Sequence, residues 1–192
     1  MLGPSWVVGE PIYALGLDPG FASFGWAIVR LFPERERVAA LGVIETKKSP
    51  KKLSVRAADD NSVRTRIIAE ALQKLVERYH PKVIAAEAFS QPRNASVSGK
   101  LGRAWGAVDT LSVFSGLPVI QASPQAIKKA LCGKQNASKD EVQEALRVRY
   151  SGQFDSYTER TPKGKWEHPF DAVGAVVACL DSEVMRMAKV MS

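Results

Sequence analysis

The chain is poor in the features that mark secreted, membrane-bound or metal-stapled proteins. Among its 192 residues there are two cysteines, Cys132 and Cys179. Both sit in apolar surroundings without metal-ligand spacing, which points to buried free thiols in a reducing compartment and excludes a disulfide framework or a thiolate metal site. No apolar run is long enough to span a bilayer, and the N-terminus lacks the basic and then apolar pattern of a signal peptide. The expected location is therefore cytoplasmic, and the Asn94-Ala95-Ser96 and Asn136-Ala137-Ser138 sequons are read as chance matches. Internal repeats and low-complexity tracts are also missing, which excludes solenoids and disordered scaffolds.

What remains is an ordinary globular composition, 45% hydrophobic and 24% charged, long enough for one domain with a sizeable core. The charge is less ordinary. A net +7 and a pI near 9.5 call for a polyanionic partner. Nucleic acid is favoured over a membrane, because no basic amphipathic anchor is visible.

Residues 1–11 read as an irregular arm and residues 12–192 as one domain. Apolar runs at 12–17, 24–31 and 38–44 are separated by short turns, so they form an antiparallel meander. A helix is expected over 54–79, with Ile68, Leu72, Leu75 and Tyr79 at helical spacing. Val83–Ala86 reads as a buried strand ending at Glu87. Asn94 caps the next helix, whose stripe Val97, Leu101, Ala104 and Val108 is read as core rather than a dimer seam. A fifth strand follows Pro118. Ser123-Pro124 opens another helix, and Ser138 with Glu141 forms a capping box for the one after it. Residues 151–167 read as a polar, basic and aromatic loop, and 168–189 as a single closing helix with Val173, Val177, Leu180 and Val184 on one face. This order predicts an α/β fold: a five-stranded mixed sheet, antiparallel in its first three strands and parallel afterwards, flanked by helices.

Asp18 lies at the end of the first strand, within Leu15-Gly16-Leu17-Asp18-Pro19-Gly20. Read alone it fits a turn cap, since Asp-Pro-Gly is ordinary turn chemistry. Glu87 stands at the corresponding end of a second buried strand, where ligands gather in open α/β sheets. His168 and Asp171 are i and i+3 on an otherwise small and apolar helix, although helix-dipole chemistry alone would also favour Asp171. Together, three carboxylates and one imidazole suit a single crevice. Carboxylates that close repel unless cations lie between them, and such donors fit Mg²⁺ or Mn²⁺. Two ions about 4 Å apart activate water and stabilise a leaving oxygen in phosphodiester cleavage. With the basic charge, the pattern points to a metal-dependent nuclease.

On these residues the chain resembles the RuvC-type Holliday-junction resolvases of the ribonuclease-H-like superfamily. The resemblance runs through Leu15–Gly20 with Gly25, through Val83–Glu87 with Asn94-Ala95 and Lys100–Gly106, through Ile127-Lys128-Lys129 to Ser138-Lys139, and through His168–Ala175. It implies a homodimer that makes Mg²⁺-dependent paired nicks in branched DNA, chiefly four-way junctions, with branch-migration machinery as a possible partner. It would be nucleoid-associated in a cell or in the host cytoplasm if viral. Asp18, Glu87, His168 and Asp171 match the metal-binding catalytic positions, and Lys128 and Lys139 match lysines that contact the scissile region.

Three departures stand out. His168 occupies a position that is often Asp, which opens the site to Mn²⁺. Ser90 replaces a family aromatic, with Phe89 one position earlier. The 151–167 loop is long and brings Arg160, Lys163, Lys165 and Trp166, a set suited to phosphates and exposed bases. Arg93, Lys100 and Arg103, next to the proposed site, are expected to contact phosphate. Lys47, Lys48, Lys51 and Lys52 read as a solvated loop. The readings that compete with junction resolution are a branched-DNA nuclease acting on flaps and forks and a non-catalytic junction-binding protein.

Overall fold

A computed structural model of the chain describes residues 11–90 and 93–190. The arm expected over 1–11 lies outside the described residues except for Pro11.

Five strands form one sheet: β1 (Ile12–Asp18), β2 (Ser23–Leu31), β3 (Glu36–Glu45), β4 (Val83–Glu87) and β5 (Val119–Ala122), in the spatial order β3-β2-β1-β4-β5. The first three pair antiparallel through short turns, and β4 and β5 add in parallel on the other side of β1. The mixed sheet expected from the spacing of apolar runs is the one observed.

Strand alternation sorts the core into two layers. On one face, Leu15, Leu17, Ile84 and Ala86 pack against α1 (Ala57–Tyr79) and α2 (Ala95–Ser115). On the other, Ile12, Ala14, Val83 and Ala85 face α6 (Glu167–Cys179), with α3 (Pro124–Cys132) and α4 (Lys139–Arg149) packed beside it. In α6 every residue from Ala172 to Val177 is buried.

Two glycines set how closely α6 lies on the sheet. A Cβ on Gly16 would overlap the Ala172 carbonyl oxygen, and one on Gly25 would overlap the backbone of His168. Both are required by close backbone approach, since neither has unusual dihedral angles.

Three expectations need correction. The helix expected from residue 54 begins at Ala57. Lys51–Leu53 form a separate 3₁₀ turn that ends at Ser54, which has a left-handed φ of 46°. The closing helix is two helices, α6 and α7 (Glu183–Val190), because Ser182 Oγ accepts the Met185 N–H and starts a new helix. Val184 is consequently exposed instead of continuing the buried stripe. The 151–167 segment is not a plain polar loop. It contains α5 (Asp155–Thr158) and a 3₁₀ turn, and aromatic rings tie it down. Phe154 stacks on Phe170 with centroids 4.5 Å apart, and Trp166 stacks on the same ring at 6.1 Å. Trp166 Nε1 also donates to the Thr161 carbonyl at 2.8 Å, so this indole is a structural anchor and not a free stacking platform.

Candidate active site

Asp18 and Glu87 end neighbouring parallel strands. Leu17 pairs with Ala86, so the next residue on each strand is one of these acids. Alternation turns both toward the α6 face. There α6 starts above them, bringing His168 and Asp171 into the same region. The close contact at Gly25 holds the His168 backbone directly on the sheet, next to the strand position that pairs with Asp18. Sequence and topology therefore converge: four residues from three elements meet at the carboxyl ends of β1 and β4.

The imidazole Nδ1 of His168 donates to Asp18 Oδ2 at 2.6 Å. That bond raises the His168 pKa above its ordinary value. Beside the pair, a cleft of ≈ 280 Å³ is lined by Glu87, Asp171, Glu167, Lys128 and Lys139. Burial, and then the charge of Asp18, push the Glu87 carboxyl up to about 7. Burial, followed by repulsion from Asp18 and Glu87, pushes Asp171 up to about 8. Near neutral pH the site thus holds more acidic groups than it can ionise together.

This donor set fits divalent cations. It is rich in hard oxygens with one imidazole, and a cation would offset both the burial and the repulsion that raise the two carboxyl pKa values. Among the described residues no three ligand-type side chains yet close on a common point. The His168–Asp18 bond turns those two groups onto each other, so a change of side-chain rotamer would precede coordination by both.

The basic residues divide by place. Lys128 and Lys139 line the cleft. Lys139 forms an ion pair with Glu167, which raises its pKa. Nothing in the sequence around Glu167 marks it for this role. It reads as an ordinary acid in the first turn of a helix, and its partner lies 28 residues away. Phe89 follows β4 and is 41% exposed. Arg93 and Arg103 are exposed and Lys100 partly so, just before and along the first turns of α2. Lys165 reaches the site-side end of β3 and pairs with Glu45 at 2.7 Å. Lys163 is exposed in the 3₁₀ turn. Arg160 is not brought to the crevice, because it lies against Val38–Leu41 in the first half of β3, away from the strand ends that carry the acids.

A second network supports the turn after Asp18. Arg64, 4% exposed on α1, stacks over Phe21 at 4.4 Å. Its Nε donates to Thr46 Oγ1 at 2.9 Å, and Thr46 Oγ1 in turn donates to the Phe21 carbonyl at 2.6 Å. Its i, i+4 relation to the buried Ile68 and Leu72 was the available signal, but an arginine on an amphipathic helix reads by default as solvent-facing.

Comparison with known proteins gives a consistent picture. A family model described as "Crossover junction endodeoxyribonuclease RuvC" matches residues 14–150. The match ends before α6, so His168 and Asp171 lie beyond it. A relative of that name from Granulibacter bethesdensis is 33% identical over 143 residues, 74% of this chain and 75% of the relative. Another, from Pseudothermotoga lettingae, is 28% identical over 133 residues, 69% of this chain and 76% of its own length. In three dimensions the chain is similar to T. thermophilus RuvC in complex with Holliday junction substrate, with TM-score 0.71 and 24% identity over 91% of this chain and 96% of that one. It also shares its fold with the yeast mitochondrial Holliday junction resolvase, with TM-score 0.59 and 10% identity over 97% of this chain and 85% of that one.

Proposed function

Because the chain belongs to the RuvC family of crossover junction endodeoxyribonucleases, we propose that it resolves four-way DNA junctions by metal-dependent paired nicking, with Asp18, Glu87, His168 and Asp171 as its catalytic centre. The observation that carries this reading is the convergence of Asp18 and Glu87, at the ends of paired parallel strands, with His168 and Asp171 at the start of a buried helix.

Asp18, Glu87, His168 and Asp171 would hold Mg²⁺, or Mn²⁺ given the imidazole; such ions would supply an activated water and stabilise the leaving oxygen. The chain's own groups do the rest. Lys128 and Lys139 present ammonium groups to the scissile phosphate from the cleft wall. Without a cation, Asp18 accepts a hydrogen bond from His168 Nδ1, a contact that the two groups would exchange for the ion on loading. Seating on β1 and on α6, a rigid strand and a buried helix, limits the rearrangement needed at the moment of reaction. Phe89, exposed beyond β4, is positioned to stack on a base at the branch point in place of the family aromatic replaced by Ser90.

Paired nicking needs two centres, and the homodimer seam is proposed on the outer face of α2. Gly99, Gly102 and Gly106 lie there with open space where side chains would stand, and Val113 and Phe114 are 78% and 85% exposed nearby. Glycine costs a helix interior about 1 kcal/mol per residue. Among the described residues nothing occupies the space these three leave, whereas close approach of a second helix would.

Asp171→Asn tests the reading. The variant is expected to bind a four-way junction and fail to cut it; normal cutting by the variant would overturn the assignment. Equal wild-type cleavage of a junction, a fork and a flap would instead favour the broader branched-DNA nuclease.

A further inference from the structure

The loop between β3 and α1 lies at the same end of the sheet as Asp18. Gly25 pairs with Asp18, and Ser23 on the same strand pairs with Glu45. The end of β3 is therefore two strand spacings, about 10 Å, from the Asp18 strand. Beyond Glu45 run Lys47, Lys48, Lys51 and Lys52, and no acid occurs between Thr46 and Ala58.

This loop is held in place from beneath. The Thr46 N–H donates to the Ala22 carbonyl at 2.9 Å. The buried Arg64 fixes the Thr46 side chain, and the Ser49 N–H donates to Asp60 Oδ1 at 2.8 Å. Lys51–Leu53 then form the 3₁₀ turn that stops at Ser54. The nearby acids are already engaged: Asp60 with Ser49 and Arg64, and Glu45 with Lys165. All four lysines are exposed, and among the described residues none of them forms an ion pair. A merely solvated loop needs no buried arginine beneath it. The acids that Lys47 and Lys48 face, Glu45 and Asp60, are already bonded to Lys165 and to Ser49, and an anchored run of exposed ammonium groups beside them suits an array of phosphates.

We propose that the Lys47–Lys52 loop is a phosphate-binding rim that seats one duplex arm of the bound junction, several base pairs from the cut. The proposal rests on the junction-resolution reading above. At about 3.4 Å per nucleotide along a strand, a separation of about 10 Å places the contact roughly three base pairs or more from the scissile phosphate.

The test is a protein–DNA double-mutant cycle on the full chain, measured as junction affinity across a KCl series without divalent cation. One protein variant carries Lys47→Gln, Lys48→Gln, Lys51→Gln and Lys52→Gln, and a second carries Arg at the same four positions. One junction carries neutral methylphosphonates three to six base pairs from the cut, and the other is unmodified. With at least two phosphates contacted, the Gln variant should lose about 1.8 from the slope of log K against log[salt], since each contact is worth about 0.9. That equals roughly a tenfold smaller loss of affinity between 50 and 200 mM salt. The Arg variant should keep the slope. Methylphosphonates should weaken wild type and leave the Gln variant unaffected. An unchanged slope in the Gln variant, the same loss in the Arg variant, or equal methylphosphonate effects on wild type and Gln variant would overturn the proposal. Failure of the junction reading shows separately, as a wild type that binds linear duplex as tightly as the junction.

Discussion

If the acidic centre is a cation site, its charges should destabilise the metal-free protein, and removing one should raise the melting temperature while ending catalysis. Asp171 is the sharpest case. Its carboxyl moves from an ordinary 3.8 to about 8. Each unit corresponds to about 1.36 kcal/mol between protonation states, so ionising Asp171 in the folded protein carries a ceiling of about 5–6 kcal/mol. Water still reaches the side chain, and Glu87 and Asp18 keep repelling each other in its absence, so we take ~1–2 kcal/mol as the gain from Asp171→Asn. The sign follows from proton uptake. Below the unfolded pKa, near 4, both states are protonated and the variant gains nothing. As pH rises from 4 to 8 the unfolded chain releases the proton first, so the folded wild type loses stability relative to it. The gain therefore grows with pH and is complete above 8. For a chain of this length, 1 kcal/mol corresponds to about 2–4 °C. In EDTA, scanning calorimetry should show Asp171→Asn melting roughly 2–8 °C above wild type at pH 8 and nearly level with it at pH 4.5. Added Mn²⁺ should stabilise wild type much more than the variant. A variant that is less stable at pH 8, or a gain of equal size at both pH values, would refute the charge-strain argument.

Other consequences are equally direct. Gly25→Ala drives a methyl group into the His168 backbone, so α6 must lift at its start; a loss of about 2 kcal/mol or more in urea unfolding and a steep fall in cleavage are expected. Arg64→Ala removes the cation beneath Phe21 and the donor to Thr46, which should cost about 2–4 kcal/mol in the same assay, and Arg64→Lys should recover little because it lacks the planar fork. Glu167→Gln releases Lys139 from its ion pair. Such exposed pairs are worth at most about 1 kcal/mol, so melting should hardly move while metal-free junction affinity rises up to roughly fivefold.

Much of this site could be read in the chain because it depends on local rules. The hairpin turn, the alternation that aims Asp18, the end of β4 at Glu87 and the i, i+3 pair on a buried helix all follow from short windows. The capping box at Ser138–Glu141 is present as expected. What escaped depends on long-range packing. Arg64 is recognisable as buried only once the Asp18 turn lies over it. Glu167 acquires its role from a lysine on another helix. Trp166 and Phe154 looked like loop aromatics because their partner, Phe170, sits inside a helix whose buried faces become apparent only in the assembled sheet. The break at Leu180–Ser182 was masked by apolar spacing that continues across it, although the Ser182 cap signal was present.

The central claim is that the centre built from Asp18, Glu87, His168 and Asp171 cuts junction strands in pairs. It is tested most directly by mapping nicks, at nucleotide resolution, on a synthetic mobile four-way junction, first with Mg²⁺ and then with Mn²⁺. The account predicts symmetric nicks on two opposing strands near the branch point, with none on linear duplex and none from Asp171→Asn. Absence of nicks with either ion, or nicks spread equally over all four strands and over linear duplex, would contradict it.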